Sequence, residues 1–350
     1  MRICRTACLV LALSMLFSCE ERQRTGEDTF TNPVITSHNN TSIVRYDSLY
    51  YNIFNEYGQL KVASSKDASR IMEGRVESVF NMSEIGLVDL WHPQLTKIGD
   101  TWYIYVTADD GNTDNHRIHV LKNDSEDLYS GNFEYLTRIK TDPDDNWAIH
   151  PYVFEYKGRL YMIWSGWESK RVFTETQCIY IAEMSSPTEL GSPRKVISRP
   201  DFEWEKQYVQ KGGYVFTRYP VFVNEAPFFF CDENTDKAYI YYSASANWTS
   251  YICVGELSAE KDSDFLDPES WKKTSEPVFR QNREDGVYGP AWPYIFRSER
   301  RDRYYLVYSV INKEVPRMPG KAVFMQDFDL VGGRPDFGKP VSRETRIPKP

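Results

Sequence analysis

One unit recurs five times along the chain: a short apolar strand, a tight turn, and a second strand rich in aromatic residues. The second strands are 48–54 (SLYYNIF), 101–107 (TWYIYVT), 159–165 (RLYMIWS), 237–243 (KAYIYYS) and 303–309 (RYYLVYS). The preceding apolar runs are 42–45, 94–97, 152–155, 227–231 and 293–297. β-Branched and aromatic residues alternating over such lengths read as strands. No stretch holds a helical period for more than about two turns. Five such hairpins, spaced about fifty to eighty residues apart and each trailed by more strand material, predict a radial array of sheets. The expectation is an all-β, five-bladed β-propeller over residues 33–350. A β-sandwich is the competing architecture.

The innermost strand of each unit begins at Asn40-Thr41, His92-Pro93, His150-Pro151, Glu225-Ala226-Pro227 or Trp292-Pro293. A proline at a strand's first position costs no ladder bond. Equivalent positions of a propeller converge on its axis. Asn40, His92, His150, Glu225 and Trp292 are therefore expected to ring one end of the central channel.

Composition narrows the function. Acidic residues outnumber basic ones, 50 to 42, which excludes a nucleic-acid binder needing a basic face. Aromatic residues make up 15% of the chain, a supply of flat surfaces for sugar rings. No Gly-rich phosphate loop follows a strand and opens a helix, and no cofactor is called for. Cys178, Cys231 and Cys253 lie in apolar strand-like runs at irregular spacing, neither a metal knuckle nor a disulfide framework.

The first residues read as a targeting segment. Arg2 and Arg5 precede an apolar run over 7–17, which marks 1–18 as a signal peptide. The stretch Leu16-Phe17-Ser18-Cys19 resembles a bacterial lipobox, with Cys19 lipidated. Glu20 and Glu21 follow at once, as in surface-exported lipoproteins of the Bacteroides type. Residues 19–32 are expected to be a flexible tether to an outer-membrane or surface anchor.

Several motifs together resemble glycoside hydrolase family 43, closest to its α-L-arabinofuranosidase and β-xylosidase members. They are Leu90-Trp91-His92-Pro93-Gln94-Leu95, Asp114-Asn115-His116-Arg117, Trp147-Ala148-Ile149-His150, Val223-Asn224-Glu225-Ala226-Pro227 and Gly286-Val287-Tyr288-Gly289-Pro290. The resemblance implies the five-bladed propeller, an oligo- or polysaccharide as partner, a monomer, and Glu225 as general acid. It also implies losses. Asn40 stands where the family has its general-base Asp, and His150 where it has the Asp that tunes the acid. Gln94 replaces a Glu, Ala291-Trp292 replaces Gly-His, and Ala322 stands in place of an Arg.

Three readings follow. In the first, a hydrolase survives with a remodelled site. Asp89, Asp109, Asp110 or His150 then supplies the base, and Asp89, Trp91, His92, Trp167 and Trp292 hold substrate. Inverting hydrolysis needs a protonated acid and a base roughly 6.5–9.5 Å apart. A protonated His150 would oppose this by lowering the pKa of Glu225. In the second, the propeller binds sugar without turnover. In the third, His38, His92 and His150 converge on a metal, since imidazole and carboxylate suit zinc or a similar ion.

The anchor is testable directly. Cys19→Ser should move the protein from the membrane to the soluble fraction, because acylation supplies the membrane affinity. Continued membrane fractionation with fatty-acid labelling would contradict the lipobox assignment.

Overall fold

Aromatic alternation builds the second strand of every blade, and the tight turn before it folds the innermost strand back alongside. The computed structural model describes residues 28–298, 302–314 and 320–350. The signal segment, Cys19 and residues 20–27 lie outside the described residues. The described chain opens with β1 (Thr29–Phe30). Blade I is β2 (Ile43–Tyr46), β3 (Leu49–Glu56), β4 (Gln59–Ser65) and β5 (Arg75–Asn81). Blade II is β6 (Val88–Ile98), β7 (Thr101–Asp109), β8 (Arg117–Asn123) and β9 (Glu134–Ile139). Blade III comprises β10 (Ala148–Tyr156), β11 (Arg159–Gly166) and β12 (Glu175–Ser186), with β13 (Glu189–Leu190) and β14 (Lys195–Ser198) both paired to β12. Blade IV is β15 (Val221–Phe230), β16 (Ala238–Ala244), β17 (Cys253–Ala259) and β18 (Lys272–Lys273). Blade V is β19 (Tyr288–Ser298), β20 (Arg303–Ile311), β21 (Lys321–Val331) and β22 (Arg334–Asp336). The last strand, β23 (Ile347–Pro348), pairs antiparallel with β1. These are the five blades of a β-propeller, as the repeat predicts.

The core lies between blades, and period-two alternation divides each strand between two interfaces. In β7, Ile104 and Val106 pack against Ile53 and Val62 of blade I. Tyr105 between them packs toward Met162 and Trp164 of blade III. Phe154 and Phe229 stack at 3.9 Å across the interface of blades III and IV. Cys178 and Cys253 are buried free thiols in this packing, and Cys231 is partly buried.

The last residues of the expected tether are part of the fold. Thr29–Phe30 are strand, and Asn32 is buried with its amide closed on Met325. Its Nδ2 donates to the Met325 carbonyl at 3.1 Å, and the Met325 N–H donates to its Oδ1 at 2.8 Å. The start of the described residues is thus stitched to blade V.

A bulge breaks the innermost strand of four blades at the same place. His92, His150, Ala226 and Trp292 each precede a proline and have φ of 39°, 53°, 48° and 55°. The ladder skips there, between Trp91 and Gln94, Ile149 and Tyr152, Glu225 and Phe228, and Ala291 and Tyr294. Non-glycine residues rarely hold positive φ, and repeating it four times needs support from neighbours. Hydroxyls of the preceding blade supply some of it. The His150 N–H donates to Thr107 Oγ1 at 3.0 Å, and the Trp292 N–H donates to Ser243 Oγ at 2.7 Å.

The ladder corrects the expected register. Trp91, Ile149, Glu225 and Ala291 face Thr107, Ser165, Ser243 and Ser309 in their hairpins. Ala226 is therefore the blade IV equivalent of His92, His150 and Trp292, and Glu225 belongs to the row before it.

Gln94 has a structural task. Its Nε2 donates to the Val153 carbonyl at 2.8 Å, and the Val153 N–H donates to its Oε1 at 2.7 Å. Only an amide both gives and takes in this way, so a Glu at 94 could not close both bonds. Gln94→Glu and Gln94→Met should each destabilise the fold, by about 1–3 kcal/mol for every buried Val153 group left unpaired. Denaturant midpoints measure this; midpoints equal to wild type would show that the clamp carries no weight.

Candidate active site

The bulged strand starts open onto a cavity of about 890 Å³ at one end of the channel. Asn40, Asp89, Trp91, His92, His150, Glu225 and Trp292 all line it. The bulge brings both side-chain rows of the inner strands to the cavity, so Trp91 and His92 line it together.

Glu225 lies at the buried floor. Trp292 Nε1 donates to its Oε1 at 3.1 Å, and His150 Nδ1 stands 3.9 Å from its Oε2. Burial raises the pKa of this carboxyl well above the glutamate range. The Trp292 hydrogen bond and the charge of Lys321 pull it back in part, while Glu175 adds to the rise. Burial also holds the His150 pKa well below its usual value, and His92, His116 and Lys321 lower it further. His92 falls to about 3 for the same leading reason, helped by Lys321. His150 is thus neutral near pH 7. The expected lowering of the Glu225 pKa by a protonated His150 does not arise, because the pocket is too dry to charge the imidazole.

Asn40 is fully engaged. Its Oδ1 accepts from the Ser42 N–H at 2.9 Å and the Ser42 hydroxyl at 2.8 Å. Its Nδ2 donates to the Pro93 carbonyl at 3.4 Å. A carboxylate here would face that carbonyl oxygen without a donor, so blade I meets blade II through an amide.

The candidate bases separate by position. Asp109 is buried outside the cavity, 3.2 Å from His116 Nδ1, and accepts from the Gly111 N–H at 2.9 Å. Asp110 is exposed and takes both its contacts of 3.0 Å from the Asn115 amide. His150 stands too close to Glu225 to lie across a sugar ring from it. Asp89 is exposed on the cavity wall with φ of 47°, its carbonyl held 2.9 Å from His116 Nε2. Glu175, which the sequence reading passed over, also lines the cavity. It is ion-paired to Arg171 and accepts from Gln177 Nε2 at 2.9 Å.

The aromatic expectations divide as well. Trp91 lines the cavity and stacks on His116 at 3.7 Å. Trp292 lines it with Lys321 Nζ 3.8 Å over its ring and the edge of His92 at 4.3 Å. Its main polar service is the hydrogen bond to Glu225 rather than a free stacking face. Trp167 does not line the cavity; it is buried behind Trp147, stacked at 4.6 Å, with Arg171 over its ring. Trp147 takes its place on the wall.

Lys321 was hidden by one residue of register. Ala322 pairs with Val310 in the ladder, and its neighbour Lys321 enters the cavity. Burial lowers the Lys321 pKa, and Glu225 opposes that shift. Phe216, Arg218 and Trp248 also line the cavity from long connections that carry no period to read.

The metal reading loses its geometry. His38 stacks on Phe54 at 4.1 Å, and its Nδ1 accepts from the Asn40 N–H. It does not join the edge-on pair of His92 and His150, whose rings are 4.3 Å apart. Among the described residues, no group of three His, Cys, Asp or Glu side chains is placed to hold an ion.

Buried neutral histidines set an acid limit on stability. His38 and His119 fall to about 4, His92 to about 3, and His150 also lies well below 6.5, all chiefly through burial. The unfolded chain therefore takes up protons first. Their contribution is complete above about pH 6.5 and is lost as pH falls toward 4, at roughly 1.4 kcal/mol per pH unit for each histidine. Glu225 and Glu256, whose pKa values burial raises, act in the opposite sense, two groups against four. Unfolding by urea should need less denaturant at pH 5 than at pH 7, with a shallower dependence in His119→Gln. Equal midpoints at the two pH values would contradict the buried neutral state.

Comparison with known proteins agrees with this geometry. Residues 30–335 match the family Glycosyl hydrolases family 43. The chain is 28% identical to alpha-L-arabinofuranosidase B of Pyricularia oryzae, over 81% of this chain and 56% of that protein. It is 26% identical to an extracellular exo-alpha-(1->5)-L-arabinofuranosidase of Streptomyces avermitilis, over 90% of this chain and 64% of that protein. The chain thus spans little more than half the length of these two relatives. The crystal structure of an alpha-L-arabinofuranosidase from Lactobacillus brevis superposes with a TM-score of 0.79 at 25% identity, covering 90% of this chain and 98% of that one. With its five blades, its channel-end cavity and this match across most of its length, the chain belongs to glycoside hydrolase family 43.

Proposed function

We propose that the protein is a glycosidase acting on arabinose-type glycans, with Glu225 as its general acid. The observation that carries the reading is Glu225 itself. It is a buried carboxyl on the cavity floor, its pKa pushed up to about 7 chiefly by desolvation, and it accepts a hydrogen bond from the Trp292 indole. A glycosidic oxygen leaving at that point takes the proton, and a water on the opposite face of the sugar completes hydrolysis. Three carboxyl side chains line the cavity: Asp89, Glu175 and Glu225. Glu175 is committed to Arg171 and Gln177, which leaves Asp89 to activate the water. The names of the relatives support arabinofuranosides as substrates and a place outside the cytoplasm. A lipid anchor at Cys19 would hold the enzyme at the cell envelope.

A second reading, sugar binding without turnover, draws on Asn40 and His150. Neither supplies a carboxylate beside the floor, and Asn40 is fixed by three hydrogen bonds.

Assays on aryl α-L-arabinofuranosides and β-xylosides, beside calorimetry with the same sugars, separate the two. Glu225→Gln should lower kcat/KM by about a hundred- to ten-thousand-fold. Asp89→Asn should fall in the same range. A Glu225→Gln enzyme that retains most of its rate would overturn the acid assignment. A wild type that binds arabinosides without cleaving them would establish the binding reading.

A further inference from the structure

The chain enters the propeller at the face opposite the cavity. Each innermost strand starts at the cavity and ends at the far end of the channel, where Arg45, Tyr46, Phe296 and Arg297 line an open groove of about 680 Å³. In blade I, β3 returns from that far face and β4 runs back to it, so Ser65, paired with Tyr50, lies there and Asp67 follows. Lys349 Nζ stands 3.3 Å from Asp67 Oδ2, and the Lys349 N–H donates to the Asp28 carbonyl at 3.0 Å. From Asp28 the chain climbs along β21. Asn32 meets Met325, and Ile35 pairs with Val323, two residues from Lys321 at the cavity. Asp28 is thus fixed at the far face.

Surface chemistry alone would turn the other face to a membrane. The exposed apolar side chains Ile85, Val172, Phe173, Val215 and Phe216 all sit in connections at the cavity ends of their blades, and exposed apolar groups mark contact surfaces. The far face carries ion pairs: Arg70 with Glu73, Lys157 with Asp262 and Arg297 with Asp302. Reach overrides that preference. Nine residue steps separate Cys19 from Asp28, and fully extended they cover about 30 Å. The 11 residues of β6, which run from the cavity to the far face, cover about 35 Å at strand rise. A lipid on Cys19 therefore cannot pass from the far face, around the propeller, to a bilayer lying beyond the cavity.

We propose that the anchored protein lays the face opposite the cavity against the bilayer, with its ion-paired turns on the lipid headgroups and the cavity opening away from the membrane. This rests on the reading of Cys19 as the acylated residue and adds the orientation that a short tether imposes. A ligand then reaches the cavity from the surrounding medium without crossing the headgroup layer.

The test uses the full chain, acylated in a bacterial host and added to preformed vesicles of phosphatidylethanolamine and phosphatidylglycerol that carry a rhodamine-labelled lipid. A fluorescent donor is attached to one introduced cysteine, Tyr57→Cys, Asp100→Cys or Lys157→Cys, with Cys231→Ser in each. Tyr57 is 96% exposed in the turn beside Gly58, which lines the cavity. Asp100 and Lys157 are exposed in the far-face turns of blades II and III. Energy transfer to the membrane should be severalfold stronger from residues 100 and 157 than from residue 57. Equal transfer from all three, stronger transfer from residue 57, or strong transfer from only one far-face site would overturn the orientation while vesicle binding and fatty-acid labelling uphold the anchor. Protein that takes up no fatty acid and stays off the vesicles would overturn the anchor and the orientation with it.

Discussion

Everything at this site depends on the bulge before proline in the innermost strands. A regular strand would send alternate side chains to opposite faces and leave half of them in the blade interface. The left-handed residue at His92, His150, Ala226 and Trp292 breaks that alternation just where the strands converge. Two adjacent rows then reach the cavity, and a carboxyl from one row meets an indole from the other, as Glu225 meets Trp292. The strain is held by neighbouring blades, through Thr107 on His150 and Ser243 on Trp292. The blades therefore shape the site through backbone hydrogen bonds more than through the identity of any one wall residue.

That arrangement explains why the floor can do without an acidic cluster. Glu225 takes its raised pKa from desolvation first, and Glu175 contributes less. His150 and His92 are neutral for the same reason, so they neither compete for the proton nor repel a substrate. Lys321 is a cation lining this cavity, with its ammonium over the Trp292 ring. It rests on the ring that orients Glu225. Asn40 and Gln94 are parts of one polar arrangement at the blade boundaries. Both bind backbone across blade boundaries through their side-chain amides.

The sequence disclosed the fold because its signal is local. Strand alternation and turns such as Lys157-Gly158 lie within single hairpins, and five copies leave little choice of architecture. The place of Glu225 at the cavity was legible for a similar reason, since its neighbours carry the family pattern. What stayed hidden is non-local. Gln94 reaches Val153 across 59 residues, which no spacing announces. The bulge moves register by one, enough to align Glu225 with the wrong row. Trp167 looked like a sugar platform because its neighbour Trp147, which covers it, belongs to another element of the blade. Phe216 and Trp248 sit in connections with no periodicity to place them.

Burial, more than a neighbouring carboxylate, raises the pKa of Glu225. Its most direct measurement is a carbon-13 NMR titration of the Glu225 carboxyl, assigned by comparison with Glu225→Gln and repeated in Lys321→Met. The account predicts a midpoint well above the usual glutamate range in wild type. It predicts a further rise in Lys321→Met, because losing the cation removes a charge that favours the carboxylate. A midpoint near the ordinary value of about 4.3, unmoved by Lys321→Met, would contradict it.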